Sequence, residues 1–185
     1  EKLSYRDMLT GLYNRNRYIE RLEAYKQVQD QQIGAIYIDL NGLKKVNDEQ
    51  GHRAGDELIV RAAGTIAGIF AEDAYRVGGD EFVVILLDVS REEFARKTEQ
   101  LRRQMQENSV DASIGGVWQA STENLEDLLR RADENMYREK KRYYSQADAA
   151  RKADRTARTK EREIRQRCSI SLTLCYSRVN DFHLN

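Results

Sequence analysis

The chain has no proline, only two cysteines and two histidines among 185 residues, and no net charge, with 31 basic against 31 acidic side chains. Without proline, nothing of that kind interrupts its helical and β-type segments. Cys168 and Cys175 lack metal-ligand spacing, which fits a reducing compartment rather than a disulfide or zinc framework. No run of about eighteen apolar residues occurs, so no membrane span is expected, and no secretory signal opens the sequence. Residues 145–185 hold nine basic and five acidic side chains, leaving 22 against 26 elsewhere. The main body is therefore slightly acidic, which excludes a strongly basic nucleic-acid surface. A cytoplasmic location is expected, either as such or as the cytoplasmic part of a membrane-anchored protein. Because the chain begins at Glu1, an upstream sensory or regulatory domain is also expected.

What is present suits one ordinary core, since 40% of the residues are hydrophobic. Helical spacing marks Arg15 to Gln29 (Tyr18, Ile19, Leu22, Tyr25), Gly55 to Phe70 (Leu58, Ile59, Ala62, Ala63, Ile66, Ile69), Glu92 to Gln106 and Leu125 to Arg142. β-Type runs cover Ile33 to Leu40, Ala74 to Val77, Phe82 to Leu87 and Val110 to Trp118. The order is helix, strand, helix, hairpin, helix, strand, helix. A hairpin inside that alternation excludes a purely parallel sheet. The expected fold is α/β (α+β): a mainly antiparallel central sheet flanked by helices, in the ferredoxin-like, polymerase-palm manner. Residues 1–144 form this domain, and 145–185 form a basic extension, helical or disordered. Within the extension Ser169 to Tyr176 alternates like a strand without an evident partner.

The chemistry centres on Gly78-Gly79-Asp80-Glu81-Phe82, which places two carboxylates after a double glycine between two β-type runs. The glycines are expected to supply the positive φ of a tight primed turn. They also leave a bare backbone that phosphates approach closely once a hard divalent cation neutralises the acids. The run Asp39-Leu40-Asn41-Gly42-Leu43-Lys44-Lys45-Val46-Asn47-Asp48, followed by Gly51-His52 and Gly55-Asp56, puts Asp39 at a strand end, as in two-metal phosphoryl-transfer enzymes. Asp39, Asp80 and Glu81 are then candidate metal partners, and Lys44 offers a compact charge for a terminal phosphate. Asn47 and Asp56 suit a base edge. An aspartate accepts from both the ring N–H and the amino group of guanine, which adenine cannot offer. Singly, each has an ordinary alternative: Asp39 as a cap, Asn47-Asp48 as an Asx turn, Lys44 as a solvated lysine.

Five ordered stretches resemble a known family. They are Asp7 to Arg15 (DMLTGLYNR), the Asp39 to Asp56 block, Arg76 to Phe82, Ser113-Ile114-Gly115, and Ala132-Asp133 through Met136-Tyr137 to Lys140. From Asp7 to about Lys140 the chain resembles a GGDEF domain, the diguanylate cyclase family. The resemblance implies condensation of two GTP into cyclic di-GMP with release of two pyrophosphates, at the interface of a homodimer. It implies Mg²⁺ (or Mn²⁺) on Asp39, Asp80 and the Leu40 carbonyl, with Glu81 assisting the metal or the attacking hydroxyl. It implies guanine recognition by Asn47 and Asp56, phosphate contacts from Lys44 and Lys140, and substrate approach at Gly78 and Gly79.

The chain departs from the family pattern in places. Asn41 and Leu43 replace an aspartate and a phenylalanine. Ile69-Phe70-Ala71-Glu72 stands where an Arg-x-x-Asp product-inhibition site is usual, so inhibition through that site is not expected. Tyr143-Tyr144 replaces a Gly-Arg phosphate contact, for which Arg142 substitutes or GTP binds more weakly. His52 is expected to order its loop, and Tyr13, Tyr18 and Tyr25 to pack.

Overall fold

The computed structural model describes residues 5–28, 30–121 and 124–181. Its elements are α1 (Arg15–Tyr25), β1 (Ile33–Leu40), α2 (Leu43–Gln50), α3 (His52–Phe70), a 3-10 turn (Ala71–Asp73), β2 (Ala74–Arg76), β3 (Glu81–Leu87), α4 (Arg91–Glu107), β4 (Ala112–Gln119) and α5 (Leu125–Asp181). The chain divides into two units, Glu1–Tyr143 and Tyr144–Asn185.

In the first unit the strands form one sheet in the order β2-β3-β1-β4, antiparallel as the inserted hairpin leads one to expect. Pairing is Ile33↔Leu87 to Asp39↔Glu81 between β1 and β3, and Ile33↔Gln119 to Leu40↔Ala112 between β1 and β4. Both faces are covered, which is why β1 and β3 read as near-continuous apolar runs rather than alternating ones. Ile36, Ile38, Leu40, Phe82, Val84 and Ile114 pack on one face with Ile59, Ala62, Ile66 and Phe70 of α3 and Phe94, Leu101 and Met105 of α4. Ile33, Ala35, Val83, Ile85 and Val117 face the other way, with Tyr25 of α1 and Leu125, Leu128 and Ala132 of α5. The tyrosines pack as expected: Tyr13 stacks on Tyr75 at 5.8 Å, Tyr18 meets the same ring edge-on at 5.6 Å, and Tyr25 is buried.

The outward backbone of edge strand β4 is covered by side chains. Glu139 Oε1 accepts from the Ile114 amide (3.1 Å) and from Arg102 (2.7 Å), Arg102 donates to the Ile114 carbonyl, and Asn135 donates to the Gly116 carbonyl (3.3 Å). These bonds occupy groups that would otherwise template another strand, and they fasten α5 along the edge.

Three local expectations are corrected. An eight-residue helix, α2, lies between Gly42 (φ 74°) and Gly51 (φ 86°), a stretch to which the sequence pattern assigns no element. Gly78 and Gly79 do not adopt a positive φ; the connection spans Val77–Asp80, and Val77 and Gly78 both donate to the Glu81 carbonyl (3.0 and 3.3 Å). The glycine at 78 leaves room for the Glu81 side chain, since a Cβ there would stand 2.4 Å from Glu81 Oε2 and 3.2 Å from Glu81 Cβ. Finally, α5 continues to Asp181, so Ser169 to Tyr176 is helical and not a strand. No glycine follows Gly116 and the chain has no proline, so no cap or breaker ends the helix. A strand without a partner leaves its backbone groups unpaired, whereas a helix pairs its own. The side chains of Cys168 and Cys175 lie outside the described residues.

Candidate functional site

Asp39, next to last in β1, stands directly opposite Glu81, which opens β3. Leu40 continues past it, its amide bonded to the Asp80 carbonyl at 3.0 Å, so both acids of the glycine loop are anchored to the end of β1. Asp39 is 3% exposed. Its Oδ2 accepts from Lys140 Nζ of α5 at 2.7 Å, while Oδ1 is buried with no hydrogen-bond partner. Burial pushes the Asp39 carboxyl above its ordinary range, aided by the charges of Asp80 and Asp133 and opposed by Lys140. Glu81 is likewise raised, by burial first and then by Asp39 and Asp80.

The glycine loop is braced from the other side. Arg76, at the end of β2, donates to the Gly79 carbonyl (2.7 Å) and to Asp7 Oδ1 (2.9 Å). Asp7 also accepts from the Thr10 amide and hydroxyl (2.9 and 2.7 Å). Burial pushes the Asp7 carboxyl up, but the bonds from Thr10 and Arg76 outweigh it and leave it below the ordinary range. The neighbouring Arg6 pairs with both oxygens of Glu72 (2.8 and 3.0 Å). That carboxylate, in the segment that stands in place of an Arg-x-x-Asp site, is thus engaged within the domain.

A second cluster sits on α2 and α3. Asn47 lies against Gly55, where a Cβ would stand 1.9 Å from the amide oxygen, and Asp56 follows, exposed, in α3. Lys44 is exposed in the first turn of α2, which has no side-chain cap, so amides of that turn and the lysine charge are both available to an anion. His52 is exposed at the start of α3 and touches neither cluster by any described bond.

The structure therefore joins Asp39, Asp80, Glu81 and Lys140, and separately sets Asn47 against Gly55, the neighbour of Asp56. Among the described residues no three His, Cys, Asp or Glu side chains stand close enough to hold a metal ion by themselves. Mg²⁺ does not require such a cage: it takes one or two carboxylates and completes its octahedron with water and substrate phosphates. The hard oxygen donors and the orphaned Asp39 Oδ1 fit that mode. Sequence reasoning assigned no role to Arg76, Asp7 or Gly55. Arg76 and Asp7 lay within recognisable stretches, but only the fold shows that they meet.

The family described as "Diguanylate cyclase, GGDEF domain" matches residues 4–146. The chain is 36% identical over 141 residues to the probable diguanylate cyclase DgcJ of Escherichia coli (strain K12), covering 71% of this chain and 28% of that protein. It is 33% identical over 147 residues to the diguanylate cyclase DgcS of Shewanella oneidensis, covering 72% and 49%. It thus spans less than half the length of either relative. The GGDEF domain of DgcB from Caulobacter crescentus, solved in complex with c-di-GMP, shares the fold with a TM-score of 0.64 at 24% identity, covering 76% of this chain and 92% of that one. Sheet order and flanking helices define a palm-like α/β domain. The chain belongs to the GGDEF diguanylate cyclase family.

Proposed function

We propose that the chain condenses two GTP into cyclic di-GMP with release of two pyrophosphates, each of two facing copies holding one GTP. The observation that carries this reading is the convergence of Asp39 with Asp80-Glu81 at the paired ends of β1 and β3. Asn47 and Asp56 read the guanine, Lys44 and the first turn of α2 take the outer phosphates, and the bare Gly78-Gly79 backbone lets the phosphate chain approach. Asp39, Asp80 and the Leu40 carbonyl would hold Mg²⁺ or Mn²⁺, which when bound neutralises charge on the phosphates. Glu81, its carboxyl raised by burial and by the charges of Asp39 and Asp80, accepts the proton of the attacking 3′-hydroxyl. Facing two such sites supplies the orientation that one alone lacks. Among the described residues no helix is long and apolar enough to cross a membrane. We place the chain in the cytoplasm, where GTP is found, under the control of an upstream sensory domain.

Purified protein given GTP and Mg²⁺ should yield cyclic di-GMP and pyrophosphate in a 1:2 ratio, with a rate per chain that rises with protein concentration. Binding of GTP without pyrophosphate release would instead indicate a regulatory module, and no binding a degenerate signalling or dimerisation module. Asp80→Ala should abolish the product; residual cyclisation would remove Asp80 from the metal site.

Gly55→Ala separates recognition from stability. The added Cβ must displace the Asn47 amide, so the Kd for GTP should rise about tenfold, the scale of one lost base-edge contact. Because alanine is the better helix former by about 1 kcal/mol, the melting temperature should hold or rise. A titration with a fluorescent GTP analogue beside a thermal melt reads both, and unchanged affinity would remove Asn47 from the guanine site.

A further inference from the structure

We propose that Lys140 is a resident cation that closes Asp39 to divalent metal until a phosphate-bearing ligand draws it away. This rests on the reading of Asp39 as a metal ligand. In the structure neither Asp39 oxygen is open to solvent cations: Oδ1 is buried, and Oδ2 is covered by the Lys140 ammonium at 2.7 Å. A divalent ion on the same carboxylate would sit a few ångströms from that ammonium, and the two charges repel strongly at such range. Simple departure of Lys140 is also unfavourable, because Asp39 is 5% exposed on its side chain and the charges of Asp80 and Asp133 bear on it. One cation therefore exchanges for another.

Lysine suits this exchange. Its compact charge rides on a flexible four-carbon stem, and the Lys140 side chain is 29% exposed, which leaves it a path toward solvent. A triphosphate arriving with its own metal offers both halves of the exchange at once: phosphate oxygens for the ammonium and a divalent cation for Asp39. The nucleotide-free protein should accordingly bind metal weakly, and metal should enter together with phosphate. Lys140 thus acts twice, first as a placeholder and then as a phosphate contact.

The test is Mn²⁺ binding to the nucleotide-free 185-residue chain, followed by electron paramagnetic resonance. Lys140→Met should bind Mn²⁺ about tenfold more tightly than the wild type, a typical coupling between two sites. Lys140→Arg keeps a cation on Asp39 and should stay within about twofold of the wild type. Should Lys140→Met prove unstable alone, added Mn²⁺ should raise its melting temperature more than that of the wild type. Equal affinities, or equal melting shifts, for Lys140→Met and the wild type would overturn the proposal. Adding Asp39→Asn to Lys140→Met should abolish the gain. If tight binding persists in that double variant, Asp39 is not the ligand and the underlying metal assignment fails too, whereas loss with Asp39→Asn but no gain with Lys140→Met sinks the placeholder alone.

Discussion

Asp39→Asn should lower cyclic di-GMP formation at least about a thousandfold while leaving the melting temperature at pH 7 equal to or a few degrees above that of the wild type. The two effects come from the same burial. Asparagine keeps the shape of the side chain but removes the negative charge that the proposed metal and Lys140 both use. The stability effect follows from the raised Asp39 carboxyl: the fold disfavours its ionised form, chiefly through burial, more than Lys140 favours it. A group whose pKa is higher folded than unfolded contributes stability that is present at low pH and lost as pH rises through the folded value. At pH 7 the ionised carboxylate therefore costs stability that asparagine does not. The advantage of the variant should shrink as the pH falls through that range and the wild-type carboxyl takes up its proton. Lys140, partly exposed, can turn to solvent when its partner becomes neutral. Melting curves from pH 4 to 8 beside a product assay would check this. A drop of more than about 5 °C at pH 7 would mean that the ion pair, and not the burial cost, dominates.

Much of this arrangement is legible in the sequence, and the parts that are not share a physical cause. β1 spans Ile33–Leu40, as its apolar run predicts, because a strand buried on both faces needs no alternation and is bounded by polar residues. α2 escapes because only the half-buried Leu43 and Val46 mark its inner side over eight residues, too short for a periodic signal, while Gly42 and Gly51 read as loop. The double glycine lies between two strands, as its pattern predicts, but without the positive φ that a primed turn requires. At Gly78 the missing Cβ leaves room beside the Glu81 side chain, a contact between residues three apart that no turn rule encodes, while a Cβ at Gly79 would meet nothing within 4 Å. The acids, Lys44, Asn47 and Asp56 stand out by residue type. The pairing of Asp7 with Arg76, 69 positions apart, and the seat of Lys140 on Asp39, 101 apart, depend on the fold bringing distant segments together.

Gly115→Ala should be the most destabilising small substitution in the domain, lowering stability by about 3 to 5 kcal/mol and the melting temperature by roughly 10 °C or more. Gly115 lies in β4 opposite Tyr37, on the face covered by α5. A Cβ there would stand 2.1 Å from the Met136 amide nitrogen, 2.2 Å from the Ala132 carbonyl oxygen and 2.8 Å from Met136 Cα. All three are backbone atoms of α5, so no rotamer change relieves the clash and the helix itself must lift. Lifting it loosens the buried Leu128, Ala132 and Met136 and strains the bonds from Asn135 to Gly116 and from Ile114 to Glu139. Lys140 follows Met136 by one turn, so the same displacement pulls its ammonium off Asp39 and should suppress turnover along with stability. Gly68→Ala is the matched control: it adds the same methyl inside α3 with nothing within 4 Å and should stabilise by about 0.5 to 1 kcal/mol. Opposite signs for two Gly→Ala changes would isolate the helix–strand contact from glycine's backbone entropy, whereas a Gly115→Ala protein melting within about 3 °C of the wild type would show that α5 is not seated on β4 as closely as this contact requires.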